Sequence, residues 1–518
     1  MGRDVFYITT PIYYANDVPH IGHGYNAVAT DFIARYRRLR GDEVFHLTGT
    51  DEHGLKVKRK AEEEGVTAKE WVDSLESEWR EVWRRLDIAY DDYIRTTEPR
   101  HHEAVAKLLN AVHDNGRDDI YLGEYEGLYC VSCEAYYTED DLLEGGLCPI
   151  HEKPVELFKD ENYFFRLSAY ADRLLEHYEA HPEAVEPETR RNEVLSTIRG
   201  GLQDFSISRT TFDWGVPIPW DTDHVTYVWF DALTNYLTAA GYVADPERFE
   251  QLWPANVHSI GKDILRFHAI YWPAMLMAAG IEPADQVWAH GFLLVGGKKM
   301  SKTNLTGIHP FQLVDEFGAD SYRYYFMREI SFGQDGNFSW ESMVERHNAD
   351  LANGLGNLAS RVLAMLASNY DGVVPEPTVE GAESDLPAVI ADAVARYDEH
   401  MVAVQLQPAL VSVWSIVARA NQYLVEKAPW KLAKDPAAAD ELAGVLYASA
   451  ETLRILAILI GPIMPGAAER LWNQLGLDEP LAIQRVPSST TWGGLAPGTR
   501  TTKGESLFPR VDAGADPE

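Results

Sequence analysis

The chain has 518 residues, a formal net charge of −34 and 3 cysteines. Its length predicts roughly three or four domains. Three cysteines exclude a disulfide framework, no apolar run is long enough to cross a bilayer, and the N-terminus has no signal-peptide pattern. We therefore expect a cytoplasmic protein that makes no membrane contact. The acidity has two interpretations: the protein avoids nucleic acids, or it confines a narrow basic track to an acidic body.

The first predicted strand and helix carry a pair of histidines. Residues 5–10, Val-Phe-Tyr-Ile-Thr-Thr, have the apolar and β-branched composition of a buried parallel strand. After a loop, His20-Ile21-Gly22-His23 lies at the first turn of a predicted helix, where N–H groups and the positive dipole end favour an anion. Gly22 allows a ligand to approach the backbone closely. The alternative is that His20 and His23 are ordinary surface caps.

A basic loop far along the chain supplies a second motif. Lys299-Met300-Ser301-Lys302-Thr303 follows a glycine pair and a lysine, and it offers mobile ammonium groups. In this order, the two motifs resemble those of class I aminoacyl-tRNA synthetases, which use them to bind ATP. The loop departs from the family's usual Lys-Met-Ser-Lys-Ser only at Thr303, which keeps a hydroxyl.

An acidic residue follows the second predicted strand. Residues 43–49 are strand-like and lead into Thr50-Asp51-Glu52-His53-Gly54. A carboxylate at the carboxyl end of a strand suits recognition of an ammonium group. The alternative is that Asp51 is the N-cap of the helix that follows.

All three cysteines lie in one segment. Cys130 and Cys133 are followed by Cys148 and, three residues later, His151. This spacing is typical of a tetrahedral zinc site, and four protein ligands leave no open position, so the zinc would be structural. The alternative is a set of buried reduced thiols beside a surface histidine.

The second half of the nucleotide fold is predicted around residues 225–233 and 257–264. Asp263, just after a Gly-Lys pair at a strand end, is placed to accept hydrogen bonds from ribose hydroxyls. One apolar pocket with a few polar tips would be lined by Ile12, Tyr14, Trp229, Tyr236 and His268. For each of these side chains the alternative is plain core packing.

From residue 350 to about 475 the pattern is helical. Asn357 and Arg361 are four residues apart and share one helical face. Trp430 follows Pro429, which favours an indole exposed at a helix start. The alternative is that Trp430 is a core aromatic and Arg361 a surface charge.

With these features together, the chain resembles the methionyl-tRNA synthetases over residues 7 to about 512. Its insert is too short for the editing domain of the branched-chain synthetases. The resemblance implies an α/β fold: a Rossmann-type parallel-sheet catalytic domain split by an insert with a zinc knuckle, then a small stem-contact α/β region and a helical-bundle anticodon-binding domain. The predicted bounds are 1–117 and 226–295 for the catalytic halves, 118–225 for the insert, 296–349 for the loop and stem-contact region, and 350–518 for the helical domain. No further dimerisation domain is recognised, so a monomer is expected.

The resemblance assigns a role to each site residue, in the ATP-dependent joining of L-methionine to tRNA(Met), including the initiator, through methionyl-adenylate. The catalytic residues would be His20, His23, Lys299 and Lys302. ATP, with Mg²⁺, would be bound by His20, Gly22, His23, Gly261, Asp263, Lys299, Ser301 and Lys302. Methionine would be bound by Ile12, Tyr14, Asp51, Trp229, Ala232, Leu233, Tyr236, Ile264 and His268. The anticodon would be bound by Asn357, Arg361, Pro429 and Trp430, and Zn²⁺ by Cys130, Cys133, Cys148 and His151.

Leu233 departs from the family pattern, since some members have proline there, and this changes the expected shape of the pocket. Two other classes of function remain as alternatives. Small-molecule nucleotidyltransferases also use a His-x-Gly-His motif, but they are usually much shorter and do not explain the helical domain. A non-catalytic tRNA- or zinc-binding protein would require both nucleotide motifs to be coincidences.

Overall fold

The computed structural model describes residues 5–131, 135–137, 141–149, 152–295, 298–299, 308–377 and 384–512. The chain forms two compact units, each made of several segments. The sheet unit comprises Met1–Pro19, Val44–Glu81 and Tyr90–His290. The helical unit comprises His20–Glu43, Val82–Ala89 and Gly291–Glu518.

The strands are, in chain order, β1 (Val5–Thr9), β2 (Tyr13–Tyr14), β3 (Glu43–Asp51), β4 (Asp92–Arg95), β5 (Ile120–Cys130), β6 (Ala135–Tyr137), β7 (Glu156–Phe165), β8 (Val185–Glu186), β9 (Phe205–Ser206), β10 (Ser208–Arg209), β11 (Pro217–Ile218), β12 (Asp221–Thr226), β13 (Val257–Gly261), β14 (Val287–His290), β15 (Leu293–Val295), β16 (Lys298–Lys299) and β17 (Gly336–Phe338).

The α-helices are α1 (Ile21–Arg40), α2 (Leu55–Glu64), α3 (Ala68–Arg85), α4 (Pro99–His113), α5 (Ala171–Ala180), α6 (Glu188–Arg199), α7 (Val228–Leu233), α8 (Asn235–Ala240), α9 (Pro246–Leu252), α10 (Trp272–Ala279), α11 (Pro310–Phe317), α12 (Ala319–Glu329), α13 (Trp340–Arg346), α14 (Asn357–Tyr370), α15 (Leu386–Val402), α16 (Leu406–Lys427), α17 (Pro429–Leu432), α18 (Ala439–Ile460) and α19 (Pro465–Gln474).

The sheet unit is built on a seven-stranded sheet with the order β2-β3-β1-β13-β14-β8, and β4 pairs with β3. The pairs β1–β13, β13–β14, β14–β8, β2–β3 and β3–β4 are parallel. Parallel strands are covered on both faces and therefore read as continuous apolar runs. The predicted first strand fits this rule, because Tyr7 and Ile8 in β1 are fully buried. The predicted parallel α/β fold is confirmed.

The insert contains antiparallel sheets instead. One has the order β6-β5-β7-β9 and the other β10-β12-β11. In the first, β5 and β7 form a long ribbon in register from Ile120 opposite Phe165 to Tyr129 opposite Glu156. The ribbon therefore carries Cys130 at the far end of β5, one residue beyond the last of these pairs.

The helical unit has an almost completely buried helix at its centre. Every residue of α18 from Leu442 to Ile460 is buried. Among the described residues, the segment Pro436–Ile460 is long and apolar enough to cross a membrane by length and composition, yet its most apolar window is 100% buried inside the protein. A helix that is apolar all round and covered on all sides is a core helix. The expectation that no apolar run is long enough to cross a bilayer is therefore wrong for this segment by length and composition, although the segment lies inside the protein.

Candidate active site

The two motif histidines cap helix α1. The N–H of Gly22 donates to Nδ1 of His20 over 3.1 Å, and the N–H of His20 donates to Nδ1 of His23 over 3.1 Å. Their rings stack with centres 3.7 Å apart. Because each Nδ1 accepts a backbone proton, each neutral imidazole carries its own proton on Nε2. The histidines are helix caps, as one interpretation predicted, and this geometry makes each Nε2 a donor suited to an anion.

Contacts that no sequence motif marks support this helix start. Within the helical unit, the Tyr322 hydroxyl donates to the carbonyl oxygen of Ile21 over 3.1 Å, and the N–H of Ile21 donates to the carbonyl of Ile308 over 3.0 Å. A Cβ on Gly24 would lie 2.2 Å from the Tyr322 hydroxyl oxygen, so only glycine fits there. Tyr322 sits in no motif, and a tyrosine on a helix gives no local signal of such a role.

Asp51 is the last residue of β3 and is 6% exposed. Tyr14 lies opposite it in the β2–β3 pairing, and the N–H of Ala15 donates to its carbonyl over 2.8 Å. Helix α2 has Gly54, not Asp51, as its N-cap. The interpretation of Asp51 as a helix cap is therefore wrong, and its carboxylate lies at the strand end beside Tyr14.

Three of the predicted methionine contacts form an aromatic and imidazole cluster in the sheet unit. Trp229 stacks on Phe267 with ring centres 3.8 Å apart and planes 6° apart. His268 donates from Nδ1 to the carbonyl of Ile264 over 3.0 Å, so its Nε2 accepts from the Tyr236 hydroxyl over 2.8 Å. Burial lowers the pKa of His268 to about 4, against the smaller raising effects of the Ile264 carbonyl and Asp263. The imidazole is neutral at pH 7.

The other predicted contacts also lie in the sheet unit. Ala232 and Leu233 are buried in α7, and Ile12 and Ile264 are partly buried against the core that contains Leu233. We call this whole predicted set the methionine pocket, after the role expected from the sequence: Ile12, Tyr14, Asp51, Trp229, Ala232, Leu233, Tyr236, Ile264 and His268. Phe267 stacks on Trp229 but was not predicted to belong to this set. The only sequence signal for it was its position directly before His268.

The predicted ribose-binding residue follows β13. Strand β13 ends at Gly261, and Asp263 lies in the 3₁₀ helix Lys262–Ile264 with an exposed side chain. A Cβ on Gly261 would lie 2.7 Å from Oδ1 of Asp263. Glycine at this position therefore lets the carboxylate lie close against the strand end.

The basic loop is described only at its start. Lys299 lies in β16, where its backbone pairs with Leu294 of β15. Ser301, Lys302 and Thr303 lie outside the described residues.

Two of the four predicted zinc ligands are described. Cys130 is 1% exposed and Cys148 is 0% exposed. The N–H of Cys148 donates to the carbonyl of Lys153 over 2.9 Å, and the N–H of Glu152 donates to the carbonyl of Cys148 over 2.8 Å. These bonds join Cys148 to the segment that begins at Glu152. Cys133 and His151 lie outside the described residues, and no group of three potential metal ligands occurs among those that are described.

Of the predicted anticodon residues in the helical unit, Asn357 and Trp430 are exposed, Arg361 is half-buried and Pro429 is buried. Trp430 is 41% exposed in the short helix α17, which begins at Pro429. The Arg361 guanidinium lies 5.1 Å from the centre of the Trp430 ring, and Asn357 is exposed at the start of α14. The interpretation of Trp430 as a core aromatic is therefore wrong.

Comparison with known proteins gives consistent matches over the whole chain. A family model described as tRNA synthetases class I (M) matches residues 6–154 and 140–363, and one described as the anticodon binding domain of methionyl tRNA ligase matches residues 374–516. The methionine–tRNA ligase of Streptomyces coelicolor is 51% identical over 99% of this chain and 97% of its own length. That of Bacillus subtilis is 46% identical over 99% of this chain and 78% of its own length. The Mycobacterium tuberculosis methionyl-tRNA synthetase solved with methionyl-adenylate has a TM-score of 0.91 at 44% identity, covering 98% of this chain and 100% of that one.

Proposed function

The chain belongs to the methionyl class I tRNA synthetases, the methionine–tRNA ligases, and from this premise we propose which residues perform each part of the reaction. The enzyme activates L-methionine with ATP and transfers it to tRNA(Met), including the initiator. One observation carries the assignment of the amino-acid site: the Tyr236 hydroxyl and His268 Nε2 are hydrogen-bonded to each other. This pair places two uncharged polar groups among apolar side chains.

The first step needs no protein nucleophile. The methionine carboxylate attacks the α-phosphorus of ATP, which gives methionyl-adenylate and pyrophosphate. Catalysis then consists of positioning and charge stabilisation. His20 and His23 donate from Nε2 to the phosphates, and Lys299 and Lys302 neutralise the charge that moves to pyrophosphate. Gly22, Gly261, Asp263 and Ser301 complete the nucleotide contacts, and Mg²⁺ accompanies ATP.

The methionine pocket holds the amino acid by one charge and by shape. The Asp51 carboxylate binds the ammonium group. The thioether is apolar and polarizable, so aromatic side chains such as Trp229 suit it better than a hydrogen-bonding group. A neutral His268 fits this role because a buried positive charge would be costly beside an apolar side chain.

The cysteine segment fits a structural zinc ion. Cys130 and Cys148 are almost completely buried, and Cys148 and His151 have the sequence spacing of a Cys-x2-His pair. Cys133 and His151 would complete a closed set of four ligands. Zinc would supply a cross-link to a segment too small to bury a core of its own.

We call the surface formed by Asn357, Arg361 and Trp430 the Trp430 surface. Its exposed indole suits stacking with a base that is unstacked from an RNA loop. Lys427, Lys431 and Lys434 surround it in the sequence of a chain with net charge −34. This local excess of cations supports the interpretation of a narrow basic track on an acidic body. We assign anticodon binding to Asn357, Arg361, Pro429 and Trp430, in a monomer that works in the cytoplasm.

The experiment is ATP–pyrophosphate exchange measured for the purified protein with each of the twenty amino acids in turn. Methionine is expected to support exchange far better than any other. Exchange driven best by leucine or cysteine, or no exchange with any amino acid, would overturn the assignment.

A further inference from the structure

Hydrogen bonds from other segments fix the backbone of the turn at the end of β3. We call residues 51–54, Asp-Glu-His-Gly, the acidic loop. Trp214 donates from Nε1 to the carbonyl of Glu52 over 2.6 Å, and its own carbonyl accepts from the N–H of Gly54 over 3.2 Å. The Tyr14 hydroxyl donates to the carbonyl of His53 over 2.9 Å. A loop with its backbone groups bound in this way has little freedom to move.

The His53 side chain ties the acidic loop to helix α7. His53 is 2% exposed, and its Nδ1 lies 2.6 Å from Oδ2 of Asp231. Burial alone would raise the pKa of Asp231, but His53 and His101 outweigh it and hold the pKa well below the usual range. The carboxylate is therefore ionised at neutral pH and accepts the Nδ1 proton of His53 in a charge-assisted hydrogen bond.

The second oxygen of Asp231 is also bound. Nε2 of His101 lies 2.7 Å from Oδ1 of Asp231, and Nδ1 of His101 lies 3.1 Å from the Thr238 hydroxyl oxygen. The hydroxyl gives its own proton to the Thr234 carbonyl over 3.0 Å, so it can only accept from His101. Both ring nitrogens of His101 are therefore bound, one to Asp231 and the other to Thr238.

A separate contact holds the other side of the acidic loop. The Glu52 carboxylate is fully buried, 2.6 Å from Nε of Arg95, and accepts from the Thr50 hydroxyl over 2.8 Å. Neighbouring side chains Glu52 and His53 are thus anchored to different elements, β4 and α7. This fixes the loop against rotation as well as translation.

We propose that His53 is a positioning residue for methionine, with Asp231 and Trp214 as its supports. This inference rests on the proposed role of Asp51 as the ammonium-binding carboxylate. His53 lies two residues after Asp51, its carbonyl holds the hydroxyl of Tyr14, and its imidazole is bound to Asp231, which lies between Trp229 and Ala232. One side chain therefore joins three elements that carry methionine contacts. Binding groups need to be held to within about 0.5 Å, which such a tie provides.

The sharpest test is Trp214→Phe, because Trp214 is partly exposed and phenylalanine keeps the edge contact with the His53 ring. The variant loses the indole donor to Glu52 together with the second ring of the indole. In ATP–pyrophosphate exchange we expect the KM for methionine to rise on the order of threefold to tenfold, as for loss of one hydrogen bond, with the KM for ATP and the melting temperature unchanged. Trp472→Phe is the matched control, because Trp472 donates from its indole to the Glu479 carbonyl over 2.7 Å in the helical unit.

A second pair of variants tests the imidazole. In His53→Asn the amide nitrogen takes the position of Nδ1 and can still donate to Asp231, whereas His53→Ala cannot. We expect the methionine KM to rise on the order of tenfold or more in the alanine variant, and to return to within about threefold of wild type in the asparagine variant.

The outcomes separate this inference from the proposed function. If wild type shows no methionine-dependent exchange, the proposed function fails. Suppose instead that wild type is active and that Asp51→Asn raises the methionine KM. Only the positioning role is then overturned if Trp214→Phe leaves the methionine KM unchanged. The same holds if Trp214→Phe lowers the melting temperature and all kinetic constants together. An asparagine variant no better than the alanine variant would also overturn it. If neither His53 variant folds, Trp214→Phe decides.

Discussion

The methionine pocket and the Trp430 surface use aromatic side chains in opposite ways. In the pocket, Tyr236 is buried and its hydroxyl is bound to His268, which is neutral. On the surface, Trp430 is 41% exposed and lies beside the guanidinium of Arg361. A small apolar amino acid is selected by shape, which requires fixed and dry walls. A base from an RNA loop needs an open stacking face and nearby charge. The environment of each ring, not its residue type, indicates its role.

The largest expected effect in the pocket comes from its one negative charge. Asp51→Asn keeps the size of the side chain but removes the proposed ion pair with the methionine ammonium. A hydrogen bond to a charged group is worth about 1.5–3 kcal/mol, so kcat/KM for methionine in pyrophosphate exchange should fall by about tenfold to a hundredfold.

Charging of tRNA by preformed methionyl-adenylate should change much less in this variant, which serves as the control. If exchange kept its wild-type kcat/KM, Asp51 would have no part in binding methionine. The methionine pocket would then have no charged contact to set it apart from the Trp430 surface.

The next effect is on stability, through His268. The pKa of His268 is about 4 in the folded protein, against 6.5 for an ordinary histidine, so the unfolded chain binds more protons between these pH values. Stability is therefore present above pH 6.5 and falls as the pH drops towards 4. Between pH 7 and pH 5, His268 alone should lower the free energy of unfolding by about 2 kcal/mol.

Denaturant unfolding at the two pH values measures this loss, and the His268→Gln variant should lose about that much less stability than wild type. Equal losses in the two proteins would mean that His268 is not held neutral. Trp430 has no titratable group, so its substitution should leave the pH dependence unchanged.

A smaller effect is expected from the substrate itself. Norleucine replaces the sulfur of methionine with a methylene, which removes the favourable contact between sulfur and the aromatic rings. That contact is worth about 0.3–1.5 kcal/mol, so norleucine should be activated with a kcat/KM up to about tenfold below that of methionine. Exchange kinetics measure it directly. Discrimination of a thousandfold or more would show that the pocket uses something other than shape and sulfur contacts.

Local pattern accounts for the parts of the fold that depend on neighbouring residues. The strand β1 and the cap at His20 were predictable because each is defined by a short run of sequence. The position of Asp51 at a strand end, not at a helix cap, was decided by where α2 begins. The exposure of Trp430 followed from Pro429 at a helix start, although sequence alone left a core position equally open.

The contacts that position the pocket could not be predicted. His53 and Asp231 are 178 residues apart, and Trp214 is 162 residues from Glu52. Such pairs depend on the path of the chain through the sheet unit, and no periodicity or spacing marks them. The sequence around Asp231 indicates only a polar residue on a short helix, because its two histidine partners come from distant segments.

The central claim is that amino-acid selection and tRNA recognition are carried by separate sets of residues, and Trp430→Ala tests it most directly. Loss of a stacked base costs about 1–3 kcal/mol of RNA binding, whereas a core Trp→Ala change costs about 3–5 kcal/mol of folding stability. Exchange and tRNA charging should be measured on the same preparation, with Ile483→Ala, an apolar side chain 56% exposed, as the control. We predict at least a severalfold drop in charging, with methionine-dependent exchange and the melting temperature unchanged. Equal loss in both assays, or no loss in charging, would contradict the account.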